Sequence, residues 1–133
     1  MTGSASDLQQ VLVAEDDDED FELFADAIRD LSLKVILARA ENGDILMKIL
    51  HERIPDLLFL DILMPCKNGK DCLFEIRSHK KFDDLPIIMM TAFGTVENAV
   101  ECMREGAYDF ITKPLKRAIV VRSVQRALER RQL

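Results

Sequence analysis

The sequence predicts an α/β fold in which helices cover both faces of a parallel five-stranded sheet. Two observations carry that reading. An apolar run and an amphipathic stretch alternate five times along the chain, the pattern of repeated strand–helix units. One of the runs, Leu57–Leu60, is continuously apolar, as a strand buried on both sides has to be. At 133 residues the chain suits one domain.

The elements follow in order. Residues 1–9 are polar and small and are expected to form a flexible N-terminal tail, leaving 10–133 as the domain. Val11–Ala14 is the first predicted strand, and Phe21, Phe24, Ile28 and Leu31 mark a helix by their spacing. Val35–Ala38 is the second strand, with Ile45, Leu46, Ile49 and Leu50 on the helix behind it. Leu57–Leu60 leads to a helix bearing Cys72, Leu73 and Ile76. Pro86 introduces a fourth strand at Ile87–Met90, and Val96, Ala99, Val100 and Met103 form a helical stripe that stops at Gly106. Tyr108–Ile111 is the fifth strand, and Ala118–Arg131 the last helix, with Val121, Val124 and Leu128 on one side.

Composition narrows the function. Eighteen basic against twenty-four acidic residues give a net charge of −6, which repels phosphate backbones and argues against direct nucleic-acid binding. Cys66, Cys72 and Cys102 are an odd number without a CxxC pair, so they read as reduced thiols of a cytoplasmic protein. No apolar run reaches membrane-spanning length, and the polar start resembles no signal peptide.

In an open α/β sheet, ligands bind beyond the carboxyl ends of the strands. Glu15 and Asp16 follow the first strand, Asp61 the third, Thr91 the fourth and Lys113 the fifth. Carboxylates gathered at one sheet edge repel unless a cation neutralises them. Mg²⁺ (or Mn²⁺) suits such a site, because it takes one or two carboxylates and leaves positions for phosphate oxygens. Phosphoryl transfer needs mainly positioning and charge neutralisation. Asp61 can attack phosphorus to form an acyl phosphate, with Lys113 and the Thr91 hydroxyl supplying charge and a hydrogen bond to the phosphoryl group. Within the acidic run Glu15–Asp20, Asp17–Asp20 read as capping and charge complement for the first helix. A calcium-loop reading fails, because Phe21 and Ala27 stand where glycine and glutamate are required.

The segments VLVAEDD, PDLLFLDILMPCKNG, LPIIMMTAFG and GAYDFITKPL resemble the response-regulator receiver family of two-component signalling, over roughly residues 9–131. The second half is most similar to receivers of nitrogen-regulation-type activators. The resemblance implies a flavodoxin-like doubly wound sheet in strand order 2-1-3-4-5. It implies that Asp61 is the phosphoacceptor, and that Asp16, Asp61 and the Leu63 carbonyl bind the metal, with Glu15 reaching it through water. It makes Thr91 and Phe110 the switch pair and Lys113 the phosphoryl-binding ammonium, and expects a cis Lys113–Pro114 bond. Glu15 and Phe110 stand where the family more often has Asp and Tyr. The implied partners are a sensor histidine kinase or phosphotransfer protein, and an effector domain or second copy meeting the fourth helix, fifth strand and fifth helix. The chain is thus expected to be a signalling switch, catalysing only its own phosphorylation and dephosphorylation. It reads as either a free-standing regulator or the receiver of a longer one.

Leu63 and Phe93 lie two residues beyond Asp61 and Thr91; both are apolar and unable to orient water, which predicts a persistent acyl phosphate. A haloacid-dehalogenase-type phosphatase would use a similar residue set, but needs an acid at the position of Leu63. A receiver-like module without phosphorylation is disfavoured by the intact set Asp16, Asp61, Thr91 and Lys113.

Overall fold

The computed structural model describes residues 8–31, 34–92 and 96–132. In chain order the elements are β1 (Gln9–Ala14), α1 (Asp18–Arg29), β2 (Val35–Ala40), α2 (Gly43–Glu52), β3 (Leu57–Asp61), α3 (Gly69–Arg77), β4 (Ile87–Ala92), α4 (Val96–Arg104), β5 (Asp109–Lys113) and α5 (Arg117–Gln132), with a short 3-10 turn at Lys80–Phe82. The strands form one sheet in the order β2-β1-β3-β4-β5, and every pairing is parallel. Both the order and the direction match the expectation. Gln9 already lies in β1, one residue inside the predicted tail, and residues 1–7 of that tail fall outside the described residues.

Alternation along the strands sorts the core into two layers. Val11, Val13, Leu57, Phe59, Ile88, Met90 and Ile111 pack with Phe24 and Ala27 of α1 and with Val120, Val124 and Leu128 of α5. Leu12, Ala14, Leu58, Leu60, Ile87 and Met89 face Leu46 and Leu50 of α2, Leu73 and Ile76 of α3, and Cys102 of α4. Each such buried side chain contributes roughly 1.5–3 kcal/mol. The Phe24 and Phe59 rings meet edge to face at 4.8 Å, worth about 0.5–1.5 kcal/mol beyond burial.

Side-chain caps fix where three helices start. Asp17, Asn42 and Asn68 each accept a hydrogen bond from the backbone N–H three residues on, at 2.9 Å. The turn after α4 closes on Gly106, whose φ of +104° suits glycine. Arg77 then ties three segments together, donating to the carbonyls of Phe82 (2.6 Å), Leu85 (2.7 Å) and Gly106 (3.0 Å). These contacts border a cavity of about 520 Å³ at the amino ends of β4 and β5, the end of the sheet away from the gathered carboxylates.

Several expectations need correction. Strands β2, β3, β4 and β5 run on past their apolar runs, to Ala40, Asp61, Ala92 and Lys113, because their carboxyl ends carry polar residues. The fifth strand starts at Asp109 rather than Tyr108, although the Tyr108 N–H still donates to the Ile87 carbonyl at 2.8 Å. Ile45 is exposed, and Met47 takes its place in the core beside Leu46 and Leu50. On α4 the buried residues are Ala99 and Cys102, while Val100 and Met103 face outward; the stripe is rotated from the one predicted. The Val96 side chain lies outside the described residues. All three cysteines are free thiols, with Cys66 exposed and the others buried; burial pushes the Cys72 thiol up to about 11.

Candidate functional site

The site grows out of strand parity. Glu15 stands two residues beyond Val13, Asp61 two beyond Phe59 and Lys113 two beyond Ile111, so all three continue the sheet face that packs on α1 and α5. The Glu15 N–H extends the ladder, donating to the Ala40 carbonyl at 2.9 Å. Side chains that would be core lower in the strands therefore converge as charged groups at the carboxyl edge. Glu15 and Asp61 are buried.

Lys113 neutralises the convergence. Its ammonium donates a hydrogen bond to Asp61 Oδ2 at 2.8 Å. It also lies 2.8 Å from Glu15 Oε1 and 3.0 Å from Asp20 Oδ2 as an ion pair with each. The ion-paired Glu15 Oε1 is buried and accepts no aligned hydrogen bond among the described residues. Burial opposes the charge on Lys113, but its contacts with Asp61, Glu15 and Asp20 outweigh this and raise its pKa above the ordinary value. Burial pushes the Glu15 carboxyl up to about 7, against the pull of Lys113 and the Asp17 N–H. Of this pair Glu15 is the group that gives up its charge, because Asp61 and Asp20 still face Lys113 when Glu15 takes a proton.

A metal ion fits the same edge. One carboxylate oxygen from each of Glu15, Asp16 and Asp61 lies within 4.8 Å of the others. An all-oxygen donor set suits a hard divalent cation, and the undonated Glu15 Oε1 is the kind of buried acceptor that such a cation or its water would satisfy. Asp61 Oδ1 meanwhile accepts from the Leu63 N–H at 3.1 Å, and the Leu63 side chain is 68% exposed beside it.

The remaining predicted residues sit apart from this cluster. Thr91 is two residues beyond Met89 and so belongs to the opposite sheet face; it is buried, and its hydroxyl donates to the Ala92 carbonyl at 3.2 Å. Phe110 shares that opposite parity and is exposed on the outer side of β5. The Lys113–Pro114 bond is cis. Phe93 lies outside the described residues.

The acidic run is divided among several tasks. Asp17 caps α1, Asp18 pairs with Arg39 at 2.9 Å, and Asp16 joins the carboxylate cluster. Asp20, read from the sequence only as a charge complement to the helix, reaches Lys113. A signal for this was present: Asp20 precedes the buried Phe24 by one helical turn and shares its inward stripe.

Comparison with known proteins agrees with this geometry. Residues 11–125 match the family described as response regulator receiver domain. Regulatory protein AtoC of Escherichia coli is 40% identical over 90 residues, covering 68% of this chain and 19% of AtoC. Luminescence regulatory protein LuxO of Vibrio campbellii is 48% identical over 65 residues, covering 49% of this chain and 14% of LuxO. The chain thus spans less than a fifth of either regulator. The crystal structure of the receiver domain of NtrX from Brucella abortus superimposes with a TM-score of 0.76 at 34% identity, covering 90% of this chain and 98% of that one. These relatives bear out the resemblance seen in the second half of the sequence. The chain belongs to the response regulator receiver family.

Proposed function

We propose that the chain is a phosphorylation-driven switch, in which a sensor histidine kinase or phosphotransfer protein donates a phosphoryl group to Asp61. The observation that carries this reading is the buried Asp61 carboxylate, hydrogen-bonded at 2.8 Å by Lys113 and set within 4.8 Å of Glu15 and Asp16 oxygens. Such a carboxylate is held in one orientation. Its Oδ1 is fixed by the Leu63 N–H and its Oδ2 by the ammonium.

Asp16 and Asp61, with Glu15 through water and the Leu63 carbonyl, would hold Mg²⁺ or Mn²⁺. The ion would supply positive charge against the phosphoryl oxygens. Asp61 attacks phosphorus, the bond from phosphorus to the donor atom breaks, and the leaving group departs with the electron pair. Lys113 balances the charge gained at Asp61. Thr91 and Phe110 then act as the switch. The Thr91 hydroxyl leaves the Ala92 carbonyl for the phosphoryl group, and Phe110 moves inward into the space vacated. Movement of Phe110 alters the outer face of α4, β5 and α5, where Val100, Met103 and Ile119 are also exposed. That face would meet an effector domain or a second copy. Among the described residues no helix is long and apolar enough to cross a membrane, and a cytoplasmic location follows from the proposed kinase chemistry. In this reading the receiver begins with β1, at Gln9.

The test is incubation with acetyl phosphate and Mg²⁺ followed by intact mass. One phosphoryl adduct is expected, absent when the metal is chelated before the donor is added and absent in Asp61→Asn. An unmodified parent, or an adduct that survives Asp61→Asn, overturns the reading.

A further inference from the structure

The third carboxylate on Lys113 has no part in the chemistry described above. Asp20 Oδ2 lies 3.0 Å from the ammonium that Asp61 Oδ2 approaches at 2.8 Å. Its backbone is fixed beside Lys113, since the Asp20 N–H is bound to the Asp17 cap at 2.9 Å and the residue sits in the first turn of α1. That turn favours negative charge through the exposed N–H groups and the helix dipole. The Asp20 side chain is 26% exposed, against 5% for Asp61, so its charge stands on the solvent side of the site. Arg39, a second cation on this edge, is occupied by Asp18 and by the Glu15 carbonyl.

We infer that Asp20 is a positioning residue that occupies Lys113 in the resting site and sets an electrostatic threshold for phosphoryl donors; this rests on the function proposed above. A phosphoryl group on Asp61 brings more negative charge than the carboxylate it replaces, and Lys113 is the side-chain cation that faces it. Asp20 competes for that cation before and after transfer. Its own charge, one ammonium away from Asp61, also repels an anionic donor on approach. Removing the charge should therefore speed loading of Asp61 and slow loss of the phosphoryl group.

Donor charge separates this role from a structural one. With acetyl phosphate, Asp61 forms the bond to phosphorus and acetate leaves with the electron pair of the broken P–O bond. With phosphoramidate, whose nitrogen carries a proton and lowers the net negative charge, ammonia leaves in the same way. In Asp20→Asn at saturating Mg²⁺ and low ionic strength, labelling by acetyl phosphate should accelerate about threefold to tenfold. The gain should be smaller with phosphoramidate and should shrink as salt is added. Asp20→Glu, which keeps the charge, should stay within about twofold of the parent. An Asp20→Asn rate equal to or below the parent's, or a gain of equal size for both donors and indifferent to salt, overturns the inference while leaving the phosphoacceptor role intact. A parent that takes no Asp61-dependent adduct overturns both.

Discussion

Glu15 shows how much a single residue's position decides. The sequence places a carboxylate after the first strand, and its pairing with Asp16 and Asp61 as a metal-binding set was legible from their common place at strand ends. Its full burial was not, because that depends on how the strand ends and the side chains of other elements, Lys113 among them, close round it. The structure gives Glu15 a raised pKa of about 7, caused first by burial. An acid whose pKa is raised on folding favours the folded state below its ordinary value near 4.5, and that contribution is lost as pH rises through 7. In metal-free protein, stability relative to Glu15→Gln should therefore grow by on the order of 2 kcal/mol as pH falls from about 8 to about 5. Parallel denaturation midpoints for the two proteins across that range would contradict the assignment. The exposed Leu63 makes a second residue-scale prediction. Its side chain offers no polar atom to attacking water, so Leu63→Asn should shorten the lifetime of the phosphorylated form severalfold, measured by loss of the adduct after donor removal. An unchanged or longer lifetime would show that Leu63 does not govern water access.

The elements were largely readable because apolar runs and helical stripes are local signals. The failures have local causes too. Ile45 and Val100 fit the helical period, but Met47 and Cys102 are the residues turned inward; periodicity fixes that a helix is amphipathic more firmly than which side of the stripe faces the sheet. Polar strand ends escaped the apolar pattern for the same reason that they matter, since the chemistry sits there. Close packing of elements makes its own prediction at Gly69, the first residue of α3. A Cβ there would stand 2.0 Å from the Asp61 carbonyl oxygen, and the Gly69 N–H is already bound to the Ile62 carbonyl at 2.8 Å. Backbone must move to admit a methyl group, so Gly69→Ala should cost about 1–3 kcal/mol. It should also slow phosphoryl uptake by displacing Asp61. Chemical denaturation and the acetyl phosphate assay check the two effects separately; wild-type values in both would mean that the loop after β3 is softer than its contacts imply.

At the scale of the whole molecule, one end of the sheet gathers charge and one side leaves apolar groups exposed. Val100, Met103, Phe110 and Ile119 are each more than a third exposed, and a hollow beside β5 is lined by Phe110, Pro114, Lys116 and Ile119. The proposal assigns that side to a partner. Met103→Glu combined with Ile119→Glu should then abolish any phosphorylation-dependent self-association seen by analytical ultracentrifugation, and leave phosphoryl uptake unchanged. Association that persists in the double variant would place the interface elsewhere. Everything in this account depends on Asp61 carrying the phosphoryl group. The most direct measurement is reduction of the acetyl phosphate-treated protein with borohydride, which converts an aspartyl phosphate to homoserine, followed by peptide mass spectrometry. The account predicts homoserine at position 61 and at no other aspartate. Homoserine at Asp16 or Asp20, or at no position in a protein that carries the adduct, would contradict it.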